Sequence, residues 1–318
     1  MIVTIKNILE EIRPHQWIKN LTLFIFLIFS QEFFILHQFL VVLYATIAFT
    51  FLTSAVYIFN DLIDYKIDQK HPEKRNRPIA SGKLNRNTAA LFAVIFMLVS
   101  FYLDIHISNS LFVLSLLYLI IMICYSLFLK KIVILDALTI AVGFVIRVLI
   151  GAFVIAVPNL FSWVIIVTIN IALLLAFGKR QSEITLLAEK AGDQRAVLKE
   201  YPNEFLNTLI SALVASTFLS YILLTFQTDV KNAGAFFTPN INFPHIPDTL
   251  LRSTHLLKFT IPIVFFGIAR YIYVIYTKKD GKSPEQVLYS DFPLLCSIVI
   301  WAIVLFLFLY VDKLQILF

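Results

Sequence analysis

About nine long apolar segments constrain the fold of this 318-residue chain more than any other feature of its sequence. A transmembrane helix needs about 20 mostly apolar residues to cross a hydrocarbon core about 30 Å thick. Segments of this length and frequency predict an all-α, polytopic membrane protein built as a helical bundle. The predicted spans are residues 18–35, 38–60, 86–104, 109–129, 132–156, 160–178, 204–226, 255–277 and 290–311.

The composition supports a membrane domain. Hydrophobic residues make up 59% of the chain and charged residues 14%, whereas an ordinary globular domain carries about 25% charged residues. We therefore predict one integral-membrane domain over residues 1–318 rather than two soluble domains.

The basic residues lie mostly on one side of the predicted spans. Of the 26 Lys and Arg residues, 20 fall in the N-terminal segment and in alternate loops. Three of the opposite loops, 31–38, 104–109 and 156–160, contain none, and the fourth, 227–254, contains Lys231 and Arg252. The positive-inside rule then predicts a cytoplasmic N-terminus in a multi-pass protein of the cell membrane. Topology alone requires basic cytoplasmic loops, so this asymmetry does not by itself indicate a function.

An acidic motif ends the second predicted span. Asp61, Asp64 and Asp68 are spaced three and four residues apart, on one face of a helix, and Asn60 precedes them. Carboxylates near a membrane are costly unless they are paired, hydrated or metal-bound, and Mg²⁺ prefers a few carboxylates, water and substrate phosphates. The motif predicts a catalytic Mg²⁺ site that holds a diphosphate. The alternative is a solvated helix end with local Asp–Lys pairs.

Two groups of cations accompany this motif. Lys74 and Arg77 precede a turn at Pro78–Gly82, and the planar guanidinium of Arg77 suits a phosphate group, whereas Lys74 fits a topology signal equally well. The second group follows the sixth span, where Lys179 and Glu183 share a helix face. This pair is either a helix-stabilising contact or part of a second phosphate or metal site that opposes the first.

Further polar residues lie at the ends of, or inside, the apolar segments. Tyr125 and Lys130 end the fourth span, and Arg147 shares a face of the fifth with Gly143 and Asp136. An intramembrane arginine must face the protein interior or a water-filled cavity. Arg147 therefore makes either a structural pair or a contact with substrate.

These residues together resemble the UbiA superfamily of intramembrane prenyltransferases, whose N-D-x-x-D-x-x-x-D element matches residues 60–68. The likeness is closest to the branch that transfers phosphoribose to decaprenyl phosphate. Further similar motifs are Arg13–Asn20, His71–Gly82, Tyr125–Lys130, Leu135–Asp136, Gly143–Arg147, Gly178–Glu183, Arg270–Tyr271, Ser283–Glu285, Asp291 and Trp301. The second aspartate-rich motif of typical aromatic prenyltransferases is absent, and the cationic segment Gly178–Glu183 stands roughly in its place.

The resemblance implies a UbiA-type bundle and transfer of 5-phosphoribose from 5-phosphoribosyl 1-diphosphate to a polyprenyl phosphate, for cell-envelope glycan synthesis. It implies Mg²⁺ as cofactor, a membrane-lipid environment and a cytoplasmic active site, with no nucleic-acid partner. The catalytic metal ligands would be Asp61, Asp64 and Asp68. The substrate-binding residues would be Lys19, Asn60, Lys74, Arg77, Tyr125, Lys130, Arg147, Lys179, Arg180 and Glu183.

Two other functions are compatible with parts of the sequence. A prenyltransferase that joins a prenyl diphosphate to an aromatic or other acceptor would use the same metal motif, but it would be expected to carry a second acidic site. A membrane transporter or lipid-binding protein could also have many spans and basic loops. It would be expected to show inverted repeats and helices broken at the membrane midplane.

Overall fold

The computed structural model describes residues 2–70, 74–156, 162–189, 200–228, 256–277 and 284–310. These ranges contain helices and no β-strand, which confirms the predicted all-α class. The chain divides into two compact units, Met1–Leu160 and Phe161–Phe318. The single transferase domain over residues 1–318 stays a prediction.

The first unit packs its helices around a buried apolar core that includes Leu27, Phe49, Leu52, Leu111 and Ile150. Its helices are α1 (Ile2–Glu11), a 3₁₀ helix (Pro14–Phe24), α2 (Ile25–Phe29), α3 (Leu36–Asp68), α4 (Arg86–Ile107), α5 (Asn109–Leu127) and α6 (Leu135–Val154), with short 3₁₀ helices at Lys74–Asn76 and Leu129–Lys131.

The second unit is held by apolar packing and by a buried polar contact. Tyr221 accepts a hydrogen bond from Trp301 Nε1 at 2.8 Å and shares another with Thr260. Its helices are α7 (Ser162–Glu189), α8 (Asn203–Gln227), a 3₁₀ helix (Leu256–Thr260), α9 (Ile261–Thr277), α10 (Pro284–Ser290) and α11 (Phe292–Leu309).

Within the described ranges, eight helical segments are long and apolar enough to cross a membrane, and each overlaps one of the predicted spans. The protein is therefore a multi-pass membrane protein. The remaining predicted span, 18–35, is not one long α-helix, because it comprises most of the 3₁₀ helix Pro14–Phe24 and the five-residue α2. The count of nine spans is thus not confirmed, and the cytoplasmic N-terminus stays a prediction.

Tertiary contacts explain why residues 14–24 depart from the prediction. Asn20 donates hydrogen bonds to Thr50 at 3.0 Å and Thr53 at 3.1 Å on α3, and it accepts one from Arg147 on α6. The backbone also comes so close to α6 that a Cβ atom at Gly151 would lie 1.9 Å from the carbonyl oxygen of Leu23. Hydropathy alone carries no information about these contacts.

Helix α3 positions the acidic motif. Its 33 residues correspond to about 50 Å of helix at 1.5 Å per residue, whereas the hydrocarbon core is about 30 Å thick. One end of α3 therefore extends beyond the hydrocarbon, and the aspartates lie in its last two turns.

Candidate active site

The aspartates of the motif form a buried acidic face at the C-terminal end of α3. Asp61, Asp64 and Asp68 are 2%, 9% and 4% exposed. Their spacing puts them on one side of the helix, as predicted. Carboxylates this deeply buried need partners, and each has a cation supplied by a different segment of the chain.

Arg77 and Arg13 neutralise the two ends of this face. One guanidinium nitrogen of Arg77, Nη1, donates to Asp61 Oδ1 at 3.0 Å and to Asp68 Oδ2 at 2.6 Å. Arg13 also forms an ion pair with Asp61 and lies over the ring of Tyr57. The Arg77 guanidinium therefore contacts two of the motif's three carboxylates.

Lys130 neutralises the middle of the face. Its Nζ donates to Asp64 Oδ1 at 2.5 Å and to Asn60 Oδ1 at 3.4 Å. Ser126 donates to the same Asn60 oxygen at 3.3 Å. The C-terminal end of α5 and the following 3₁₀ turn thus meet the acidic face of α3, and Asn60 links them.

The loop between α3 and α4 positions Arg77. Ser81 N donates to Arg77 O at 2.8 Å, and Leu84 N donates to Pro78 O at 2.9 Å. Gly82 has a φ of 77°, a left-handed conformation that glycine adopts without steric cost. This turn folds the chain back on itself, so that Arg77 contacts the aspartates.

Helix α1 contributes a buried acid beside the same face. Glu11 is 1% exposed and neighbours Asp61. Burial, together with the contact with Asp61, raises the pKa of Glu11 to about 8. The raised pKa favours the neutral form of Glu11 beside Asp61.

The donor set fits a hydrated divalent cation bound together with a phosphate. No group of three His, Cys, Asp or Glu side chains in the described ranges is gathered closely enough to hold a metal ion by itself. Mg²⁺ does not require such a cage, because it retains water and takes substrate phosphate oxygens beside one or two carboxylates. Asp61 and Asp68, which share one nitrogen of Arg77, meet that requirement.

Arg147 lies in a different environment from these charges. Its guanidinium donates to Asn20 Oδ1 at 3.1 Å, Gly143 O at 2.8 Å and Tyr118 Oη at 2.9 Å. The rings of Phe49, Tyr118 and Phe144 surround it. Neutral groups hold Arg147 in the bundle core, an arrangement that matches the structural interpretation of this residue.

The other predicted site residues of the first unit are Lys74, Lys19 and Tyr125. Lys74 is close enough to Asp68 to interact with it electrostatically. Lys19 is half-buried in the 3₁₀ helix Pro14–Phe24. Tyr125 is half-buried, and among the described residues it is Ser126, its neighbour in sequence, that donates a hydrogen bond to Asn60. His71, Pro72 and Ser283 of the sequence motifs lie outside the described residues.

The second unit contains the other predicted cationic group, on α7. Arg180 is 1% exposed, and its Nη1 lies 2.9 Å from Glu183 Oε2. Lys179 is more exposed, and its Nζ lies 4.0 Å from Glu183 Oε1. Of these two cations, Arg180 lies closer to Glu183 than Lys179 does.

Three residues at the acidic face were not among the predicted site residues, namely Arg13, Glu11 and Ser126, although Arg13 and Ser126 belong to motifs noted for their resemblance. Arg13 belongs to a motif already noted for its resemblance, so a signal for it existed. Its contact with Asp61 spans 48 residues of sequence, and no local spacing connects the two. Glu11 carries no sequence signal beyond its position two residues before Arg13.

The sequence matches the model of a known protein family and is similar to named proteins. The model of the UbiA prenyltransferase family matches residues 21–239. A protein of Corynebacterium glutamicum named decaprenyl-phosphate phosphoribosyltransferase is 27% identical over 310 residues, covering 96% of this chain and 87% of that protein. A protein of the same name from Mycolicibacterium smegmatis is 27% identical over 236 residues, covering 72% of this chain and 73% of the relative.

Solved structures share the fold. A UbiA homolog from Archaeoglobus fulgidus, bound to GPP and Mg²⁺, superimposes with a TM-score of 0.65 at 16% identity. The match covers 95% of this chain and 99% of that one. At this identity the likeness establishes the architecture, and it confirms the predicted UbiA-type bundle.

Proposed function

Because the chain belongs to the UbiA prenyltransferase family, we propose that it transfers 5-phosphoribose from 5-phosphoribosyl 1-diphosphate to a polyprenyl phosphate. The reaction would take place at the acidic end of α3. The names of the curated relatives support this choice of donor and acceptor.

The main support for the proposal is the pairing of acidic and basic side chains at this site. Asp61, Asp64 and Asp68 are met by Arg13, Arg77 and Lys130, which come from three separate segments. A site of this kind can bind a divalent cation through its carboxylates and phosphate oxygens through its cations. A phosphoribosyl diphosphate donor presents both a diphosphate and a 5-phosphate, so it suits a site that is rich in cations.

The proposed chemistry is substitution at C1 of the ribose. The bond from C1 to the diphosphate oxygen breaks, and the diphosphate departs with the electron pair. An oxygen of the acceptor phosphate forms the new bond from the opposite face, with inversion at C1. This nucleophile is anionic at neutral pH, so the residues of the site do not need to supply a strong general base.

Each group of residues has a separate proposed task. Asp61, Asp64 and Asp68 would supply the carboxylates for Mg²⁺, one or two at a time beside water and substrate phosphate oxygens, and the bound ion would neutralise charge on the departing diphosphate. Arg77 and Lys130, which pair with these carboxylates, are positioned to bind the oxygens of a phosphate that approaches the metal site. Asn60 orients Lys130 through its side-chain oxygen.

The remaining predicted residues stay proposals of the same kind. Lys74 and Lys19 would add positive charge for the phosphates, and Tyr125 would contact the substrate. Lys179 and Arg180 would bind a substrate phosphate, with Glu183 fixing the Arg180 guanidinium. Arg147 was predicted to contact the substrate, but its neutral, buried partners favour support of the bundle.

The proposed setting follows from the distribution of charge. The basic loops would face the cytoplasm at the cell membrane, where a positive field raises the local concentration of a polyanionic donor. The polyprenyl tail would stay in lipid or among the helices. The product would serve as a precursor of sugar donors for cell-envelope glycans.

A transfer assay in lipid tests the proposal. Purified protein in nanodiscs receives Mg²⁺, polyprenyl phosphate and phosphoribosyl diphosphate labelled in the ribose. We expect the label to enter the lipid fraction only when both Mg²⁺ and the acceptor are present. Asp64→Asn should abolish this transfer, whereas Asp104→Asn should not. Asp104 is also a buried aspartate, but it lies near the end of α4 apart from the proposed site.

The same assay separates the proposal from its rival. A prenyltransferase would leave ribose label in the aqueous fraction and would transfer a labelled geranylgeranyl group to an aromatic acid. That result would replace the proposed reaction with prenyl transfer. Intact turnover in Asp64→Asn, combined with a loss of substrate flux across the membrane, would instead indicate a transporter.

A further inference from the structure

The end of α3 carries a second charged surface, on the side that faces away from the aspartates. Lys66 lies two residues from both Asp64 and Asp68, and at about 100° per residue this spacing places it on the other side of the helix. Lys66 Nζ lies 5.9 Å from the ring centre of Tyr65, and the guanidinium carbon of Arg86 lies 4.6 Å from the same ring centre. Arg86 is the first residue of α4, so cations from two helices share one aromatic ring.

These two cations have no acidic partner among the described residues. Lys66 and Arg86 are exposed, and no carboxylate of a described residue pairs with either side chain. In residues 65–70 and 74–86, every exposed charged side chain is positive, namely Lys66, Lys70, Arg75, Lys83 and Arg86. A topology signal requires basic residues, but it does not require two of them to gather at one ring. Neighbouring like charges repel each other, and an anion bound beside them would relieve that repulsion.

An exposed apolar row on α4 continues from this pair of cations. Only 11% of the apolar window of α4 is buried. Residues four apart lie on one helix face, and Arg86 is followed at this interval by exposed Ala90, Val94 and Leu98, which we call the α4 row. Leu98 lies about 18 Å from Arg86 along the helix, at 1.5 Å per residue. One leaflet contributes about 15 Å of hydrocarbon, so the α4 row is long enough to accompany an acyl chain through it.

The chemistry of the two parts selects one class of ligand. A guanidinium that stacks on an aromatic ring still presents its N–H groups to phosphate oxygens, and Lys66 adds a second positive charge. A soluble anion would use the cations and leave the α4 row uncovered. A zwitterionic lipid brings an ammonium group that the two cations repel. An anionic phospholipid matches both the cations and the apolar row.

We propose that Lys66, Tyr65 and Arg86 bind the phosphate group of an anionic phospholipid, whose acyl chain lies along the α4 row. The bound lipid would join the end of α3 to the start of α4, on the side opposite to the aspartates. This inference does not depend on the proposed reaction, because none of the three residues belongs to the proposed metal or substrate site.

Two double variants separate this site from a general attraction between the basic loop and an anionic membrane. Lys66→Gln/Arg86→Gln removes the two cations at the Tyr65 ring. Arg75→Gln/Lys83→Gln removes the same number of charges from exposed positions in the same segment. All four substituted side chains are exposed, so both variants should fold, and thermal unfolding in detergent verifies this.

The first measurement is lipid affinity by native mass spectrometry in detergent, with phosphatidylglycerol or phosphatidylcholine added. Each Lys or Arg near an anionic lipid surface contributes a factor of about five in affinity. We therefore expect Lys66→Gln/Arg86→Gln to weaken binding of the first phosphatidylglycerol about 10- to 25-fold, while Arg75→Gln/Lys83→Gln binds like the wild type. Equal losses in the two double variants, or equal affinity of the wild type for the two lipids, would overturn the proposal.

The second measurement locates the lipid and separates it from a soluble phosphate. In nanodiscs, phosphatidylglycerol with a photoreactive acyl chain should label α4 between Ala90 and Leu98, and Lys66→Gln/Arg86→Gln should remove most of this label. Replacing chloride by inorganic phosphate at matched ionic strength should leave the labelling unchanged, because free phosphate cannot use the α4 row. Loss of the label in phosphate would indicate a site for soluble anions, and label confined to other helices would place the lipid elsewhere; either result contradicts the proposal.

Discussion

At the scale of single residues, Arg77 has the most demanding position in the site. Its Nη1 separates the carboxylates of Asp61 and Asp68, which are almost fully buried. Without this cation, the two negative charges would repel each other across a medium of low dielectric constant. The guanidinium therefore shapes the proposed metal site as well as neutralising it.

We predict that Arg77→Gln lowers the rate of phosphoribosyl transfer by about 100-fold, the scale expected when a charged group of a preorganised site is removed. The transfer rate of Arg77→Lys should lie between those of the wild type and Arg77→Gln, because lysine keeps the positive charge but lacks the planar guanidinium. Arg75→Gln, an exposed neighbour in the same loop, is the control. Equal rates in Arg77→Gln and Arg75→Gln would contradict the prediction.

A second prediction concerns the stability of the protein and the ion pair between Lys130 and Asp64. Both side chains are largely buried, with 10% and 13% of their surface exposed. Removal of one partner leaves an uncompensated charge, so Lys130→Met should lower the free energy of unfolding by about 3 kcal/mol.

The double variant Lys130→Met/Asp64→Asn should lose less free energy of unfolding than the two single variants lose in sum. The Asp64 carboxylate, which Lys130→Met leaves unpaired, is replaced in the double variant by a neutral amide. The measurement is SDS titration in mixed micelles. Lys131→Met serves as the exposed control and should leave the titration midpoint unchanged. Strictly additive losses would mean that the ion pair is not formed.

At the scale of helices, hydropathy and residue spacing are sufficient to predict the apolar helices and the acidic face of α3. The helices α3 to α8 overlap six predicted spans, since a long apolar run has one dominant solution in a bilayer. The face shared by Asp61, Asp64 and Asp68 follows directly from helical periodicity. The partners of these aspartates do not, because Arg13 and Lys130 are 48 and 66 residues away in sequence.

The 3₁₀ helix Pro14–Phe24 shows the opposite case, in which packing overrides a local pattern. Its close approach to α6 requires the absence of a side chain at Gly151. We predict that Gly151→Ala lowers the free energy of unfolding by about 1–3 kcal/mol, because the obstructing atom is a backbone carbonyl that cannot rotate away. Gly267→Ala is the matched control, since its Cβ would meet only the Ser297 hydroxyl, at 3.3 Å. Equal thermal midpoints of the two variants would contradict this account of the packing.

At the scale of the whole molecule, charge and helix length together make a prediction about orientation. Helix α4 has 22 residues, about 33 Å at 1.5 Å per residue, so we expect its two ends to lie at opposite faces of the bilayer. The loop before α4 carries the basic residues and Arg77, while residues 104–109 after it contain no Lys or Arg. The positive-inside rule therefore predicts that the acidic site lies at the cytoplasmic face.

Thiol labelling of intact cells tests this orientation. After Cys124 and Cys296 are replaced by alanine, one variant carries Ser81→Cys in the loop before α4 and another carries His106→Cys at its far end. A membrane-impermeant maleimide should label His106→Cys in intact cells and Ser81→Cys only after permeabilisation. The reverse pattern would place the site outside the cell, away from the supply of an anionic phosphoribosyl donor. Because the single helix α4 separates Ser81 from the position of His106 near its far end, the pair of variants reports orientation independently of the total number of spans.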